Sequence, residues 1–197
     1  MLLRRRAPGI EHRPATITQG FEHLDAGCLA VLRWLNANEI DYVLVGAAAE
    51  AIRGHSAATG PIAIVPAPYR RNFHRLAQAL WAAHARQRVP HAAPGEPDTV
   101  PVKLTADKLG RGQRWSLRCE THDLDVETVS MPQDGEPDSG PGYQELLYEA
   151  TRFEPAEGIA VEVASPEDIE HYAHRARTGQ APQMRITRAA PVHQDVS

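Results

Sequence analysis

"VGAAAEAIRGHSAATGPIAIVP", Val45 to Pro66, decides how this chain is read. Its first residues end the apolar run "DYVLVG" (41–46), which stops at a glycine as a buried strand does on entering a turn. Ala47 to Arg53 follow as a short helix whose alanines allow close packing on a sheet, and Gly54 closes it. The turn "GHSAATG" brings Ser56 and Thr59 hydroxyls, and "PIAIVP" (61–66) reads as a second strand. Its prolines belong at strand ends or on an edge, since each lacks an N–H for the ladder. Gly46 and the helix start beyond it offer backbone N–H groups to an anion.

Outward from this unit the patterns continue. Phe21, Leu24, Cys28, Val31, Leu32 and Leu35 recur at three and four and predict an amphipathic helix over 21–35. Downstream, Phe73, Leu76, Leu80 and Trp81 predict a helix over 72–85, and the Pro- and Gly-dense 89–99 reads as a loop. "VPVKL", "RWSLRCET" and "LDVETVS" are three strand-like runs, with turn chemistry at "DKLGRGQ" between the first two: a β-meander. A polar loop (132–142), a short helix (143–150) and a strand (158–164) precede a last helix over 165–179. There Ser165 fits the N-cap, Pro166 the first helical position, Glu167 and Asp168 the positive helix end and Gly179 the stop. The order implies an α+β domain with one mixed sheet over 17–179, a flexible N-terminal segment at 1–16 and a flexible tail at 180–197.

Composition bounds the function. The 197 residues, 42% hydrophobic and 23% charged, suffice for one real core. No run approaches the roughly 18 apolar residues of a membrane span, and "MLLRRR" lacks a signal peptide's apolar region. Cys28 and Cys119 stand singly within apolar patterns, which suggests buried thiols in a reducing cytoplasm. A net charge of −4 argues against nucleic acid as the main partner of the domain body. His171 and His174 lie one helical turn apart without the spacing of a zinc motif, and read as a solvated helix face.

The ordered set "DYVLVGAAAEAIRG" (41–54), "AATGPIAIV" (57–65), "DLDVETVS" (123–130), "GYQELLYEA" (142–150) and "VEVASPEDI" (161–169) resembles the nucleotidyltransferase superfamily. That family includes polymerase-beta-like enzymes and bacterial toxin–antitoxin and abortive-infection proteins. The resemblance covers about residues 20–180 and implies the family's mixed sheet flanked by helices. It also implies where an active member keeps its chemistry, and this sequence departs from it there. The family's glycine pair falls on Gly46 and Ala47, its arginine on Ala57 and its threonine on Thr59. Its two metal-binding aspartates fall on Pro61 and Ala63, its third carboxylate on Asp125, and a closing-helix lysine on Ala173.

Nucleotidyl transfer needs divalent cations to neutralise the triphosphate and activate the attacking oxygen. Alanine and proline bring no side-chain oxygen for such an ion. The expectation is therefore a catalytically inactive binding or regulatory protein, a pseudoenzyme without a metal cofactor. Its vestigial or ligand-binding site would comprise Gly46, Ala47, Ser56, Thr59, Pro61, Ala63 and Asp125. The expected partner is a protein or a nucleotide-like small ligand, with no membrane.

The alternative is a divergent, toxin-like enzyme that holds Mg²⁺ on Asp123, Asp125 and Glu127. These project to one face of a strand, with His122 on the other. Three carboxylates so close repel unless solvated or bridged by a cation.

Overall fold

Short apolar runs divided by turn residues fold here into strands of one sheet, and the runs with a three-to-four repeat become the helices laid on it. The computed structural model describes residues 21, 24–54, 60–89, 96–120, 122–128 and 142–178. Both segments expected to be flexible, 1–16 and 180–197, lie outside the described residues.

In chain order the elements are α1 (Ala26–Ala37), β1 (Tyr42–Val45), α2 (Gly46–Ile52), β2 (Ile62–Pro66), α3 (Arg70–Ala82), β3 (Arg86–Arg88), β4 (Thr99–Pro101) and α4 (Ala106–Leu109). Then come β5 (Arg114–Arg118), β6 (Asp123–Glu127), α5 (Tyr143–Glu149), β7 (Thr151–Ala156), β8 (Ile159–Val163) and α6 (Pro166–Thr178). The strands form one eight-stranded sheet in the order β4-β3-β5-β6-β2-β1-β8-β7. It is mixed: β1 runs parallel to β8 and β2 parallel to β6, while the other pairs are antiparallel. This is the α+β architecture expected from the sequence.

Several boundaries differ for local reasons. Helix α1 begins at Ala26 because Asp25 caps it, its Oδ1 accepting from the Cys28 N–H at 2.6 Å. Phe21 and Leu24 still enter the core from outside that helix. In α3 the buried Asn72 ties the helix start to the strand before it. Its side chain accepts from the Asp41 N–H at 2.9 Å and donates to the Asp41 and Ala67 carbonyls at 2.8 and 3.1 Å. The segment read as a turn at "DKLGRGQ" contains the one-turn helix α4, capped by Thr105. Two strands escaped the reading: β3, which is Arg-Gln-Arg, and β7, which carries Pro155 and alternating charges on an edge. The expected meander is rearranged, because β3 inserts between β4 and β5.

Arg53, just past α2, latches that helix to the end of β8, the strand beside β1. Its Nε donates to the Ala164 carbonyl at 2.7 Å, its Nη2 to the Val163 carbonyl at 3.1 Å, and its guanidinium lies 5.5 Å from the centroid of Phe153. Burial lowers its pKa. Among the described residues no helix is long and apolar enough to cross a membrane.

Cys28 and Cys119 are both buried and free, and burial pushes each thiol up to about 11. The thiolate is the reactive form. The folded protein at pH 8 should therefore leave both thiols untouched by a chromogenic disulfide reagent, and denaturant should release two equivalents. Rapid reaction of either thiol before unfolding would contradict this burial.

Candidate functional site

The site lies where α2 leaves β1 against the middle of the sheet. Gly46 opens α2 with φ of 69°, a left-handed value that L side chains avoid. A Cβ built there would stand 3.1 Å from the Ala63 Cβ, so the glycine also permits the close approach of helix and strand. Register sets the rest. Val45 pairs with Ala63 on β2, Ala63 with Asp125 on β6, and Asp125 with Ser116 on β5. Those four residues form one row across the sheet and share a face.

The structure thus brings together Gly46, Ala63 and Asp125. Ala47 follows within α2, and Pro61 stands one residue ahead of β2. Gly46, Ala47, Pro61 and Ala63 are half-buried, whereas Asp125 is only 3% exposed. Ser56 and Thr59 lie outside the described residues.

What covers Asp125 is basic. Its Oδ1 accepts from Arg88 Nη2 at 2.6 Å and its Oδ2 from Arg114 Nη2 at 2.8 Å. Arg114 Nε lies 2.9 Å from Glu127 Oε1, and Arg118 Nε donates to Asp123 Oδ1 at 2.9 Å. Arg88 also reaches Asp123, Nη1 to Oδ2, at 3.4 Å. The three carboxylates of β6 are therefore bridged by cations, and the cations belong to the chain.

Strand pairing explains the lattice. Arg114 and Arg118 lie opposite Glu127 and Asp123 on the antiparallel neighbour β5. Opposite charges facing each other across such a pair attract directly. Arg88 comes from β3, one strand further out. Continuing the β3–β5 register sets it beside Ser116, whose small side chain lets the guanidinium pass over β5 to Asp125.

The electrostatics follow the same contacts. The Arg118 hydrogen bond holds the Asp123 carboxyl below the usual range, against the opposing effect of its burial, with Arg88 adding its charge. Burial raises the Glu127 carboxyl, opposed by the charges of Arg114 and of Arg175 on α6 and reinforced by Asp125. His122 points away from the acidic row, its ring centroid 5.4 Å from that of Trp34 on α1, and burial lowers its pKa.

These residues do not fit a resident magnesium ion, which takes oxygen ligands in near-octahedral array. Both Asp125 oxygens accept from guanidinium groups, and Ala63 contributes no oxygen. Side chains two apart on a strand are separated by about 6.6 Å along it, so Asp123, Asp125 and Glu127 are strung out along β6. Among the described residues no three His, Cys, Asp or Glu side chains converge as a ligand set.

The arginines are what the sequence reading missed. Arg114, Ser116 and Arg118 alternate on one strand as Asp123, Asp125 and Glu127 do on the next, and two such strands of opposite sign in tandem signal a cross-strand lattice. Arg88 carried no comparable signal.

No family model matches this chain, and no curated protein matches it. Solved structures resemble it, among them the following two. One is a protein of Thermotoga maritima proposed to be a nucleotidyltransferase, with 14% identity, a TM-score of 0.50, and 79% of this chain aligned to 89% of that one. The other is an antigenic nucleotidyltransferase-like protein from Paracoccidioides brasiliensis, with 20% identity, a TM-score of 0.39, and 79% of this chain aligned to 70% of that one. At these identities the likeness concerns the fold, and the first alignment carries it. The chain has a nucleotidyltransferase-like α+β fold.

Proposed function

We propose that this protein performs no nucleotidyl transfer and acts instead as a binding or regulatory protein, toward a protein partner or a nucleotide-like ligand. One observation carries the reading: Asp125, level with Ala63 in the sheet, has both carboxylate oxygens engaged by Arg88 and Arg114. Transfer from a nucleoside triphosphate depends on positioning and on stabilising charge as it develops, work that metal ions do in enzymes of this kind. A guanidinium held between carboxylates supplies fixed countercharge to β6. It activates no attacking oxygen.

Calorimetric titration with ATP, GTP, CTP and UTP, each with and without Mg²⁺, tests the reading together with a transfer assay using α-labelled nucleotide. The expected result is no magnesium-dependent binding heat and no labelled product. Magnesium-dependent labelling that disappears in Asp125→Ala would overturn it and establish the acidic strand as a catalytic metal site.

A further inference from the structure

The chain's net charge averages over unlike segments. From residue 70 to 118 it has ten lysines and arginines against three acidic residues; from 142 to 178 it has eight acidic residues against three arginines. The topology carries this division to opposite ends of the sheet, since β4, β3 and β5 lie at one end and β8 and β7 at the other. Between Arg70 and Arg88 there is no acidic residue at all.

The basic end also holds the most exposed large apolar side chain among the described residues. Trp81 is 80% exposed near the end of α3, and Val100 on β4 is 40% exposed. Trp81 borders a cavity of about 280 Å³ with an apolar lining that includes Leu80, Val102 and Leu104, and with Arg86 at its wall. Arg86 uses Nε and Nη2 on Thr99. Along α3, Arg71, His74, Gln78 and Trp81 recur at three and four, so they form one outward stripe about 15 Å long. Among the described residues Arg71 and His74 make no ion pair. The carboxylates of Glu39 and Asp41 are held by Arg75 and that of Asp98 by Arg118, while Glu120, whose amide bonds the Ala83 carbonyl, and Asp107 on α4 are acidic groups at the margin.

We propose that this end of the sheet docks an acidic peptide segment of a partner protein, with one apolar side chain seated in the cavity against Trp81 and carboxylates along Arg86 and Arg71. Three features select this occupant. An exposed Trp beside an apolar cavity is the form of an interface anchor. A rim on which basic groups outnumber acidic ones complements carboxylates and speeds encounter with them. The apolar lining suits an aliphatic or aromatic side chain more than a sugar–phosphate chain. None of Trp81, Arg71 and Arg86 bonds Asp125, which Arg88 and Arg114 hold, so this inference stands apart from the proposed loss of transfer.

A phage-displayed library of 12-residue peptides panned against the full chain tests it, with fluorescence anisotropy of the selected peptides. The expected result is enrichment of sequences combining Asp or Glu with one large apolar residue. Their binding should weaken at least tenfold in Trp81→Ala and in Arg71→Glu/Arg86→Glu, recover in Trp81→Phe, and fall as salt rises. Because Trp81 is exposed, its variants should melt as the parent does, which separates lost docking from lost folding. Failure to enrich any sequence, selection of peptides without carboxylates, binding indifferent to Trp81, or tighter Trp81-dependent binding of a dT12 oligonucleotide would each overturn the proposal.

Discussion

Replacing Arg114 by alanine lowers the free energy of unfolding by about 3–5 kcal/mol, because it leaves two buried carboxylates short of their counter-ion. Asp125 loses one of its two guanidinium partners and Glu127 loses the guanidinium 2.9 Å away. The effect should depend on pH with a definite sign. Glu127 already titrates above the ordinary carboxyl range in the fold, so its ionisation opposes folding. Its contribution is complete below the unfolded pKa and is lost as pH rises through the folded one. Without Arg114 that loss grows, and the variant's deficit is larger at pH 7 than near pH 4. Urea unfolding of the parent, Arg114→Ala, Asp125→Ala and the double variant at both pH values measures this. The double variant should lose less than the sum of the singles, since it removes an uncompensated charge along with its partner. Additive losses, or a deficit that is flat with pH, would mean that the pair is not coupled as its geometry states.

Replacing Asn72 by alanine costs about 3 kcal/mol by a different route. One fully buried amide joins α3 to the stretch before β1 and to the end of β2 through three hydrogen bonds. Alanine fills none of those roles, and each backbone group that loses its partner away from water incurs a penalty of about 1–3 kcal/mol. The Asp41 carbonyl still accepts from the Ala67 N–H at 2.8 Å, which keeps the total below three full penalties. Asn72→Asp retains the acceptor for the Asp41 N–H but turns a carboxylate oxygen toward two carbonyls, so at pH 7 it should be no more stable than the alanine variant. Denaturant midpoints of the three proteins decide it. A change below about 1 kcal/mol in Asn72→Ala would show that solvent replaces the amide freely.

How much could be read in advance followed from what each element depends on. Helices α1 and α3 were legible because their side chains show the helical period, α6 because its ends carry cap and charge signals, and β1, β2 and β8 because they are short apolar runs. Strand β3 was not, because Arg86-Gln87-Arg88 has no apolar residue and becomes a strand only through pairing with β4 and β5. Strand β7 was hidden by Pro155, which is tolerated because that strand is an edge. At the site, the row from Gly46 through Ala63 to Asp125 was visible as a resemblance. Its arginine cover was not, since Arg88 arrives from a strand that the pattern did not disclose. The net charge of −4 likewise records a sum, and a sum says nothing of segregation along the sheet.

The two ends of that sheet also bear on solubility. A long flat edge invites further strands to add through its unpaired N–H and C=O groups. Here β4 spans only three residues and ends in Pro101, while β7 carries Pro155 within a register shift between Phe153 and Ala156. Each proline withholds a donor, and the shift bends the strand out of line with any newcomer. Among the described residues, neither edge of the eight-stranded sheet is a long, flat row of free donors and acceptors, so crowding the protein in solution finds both edges poor templates for fibrous growth.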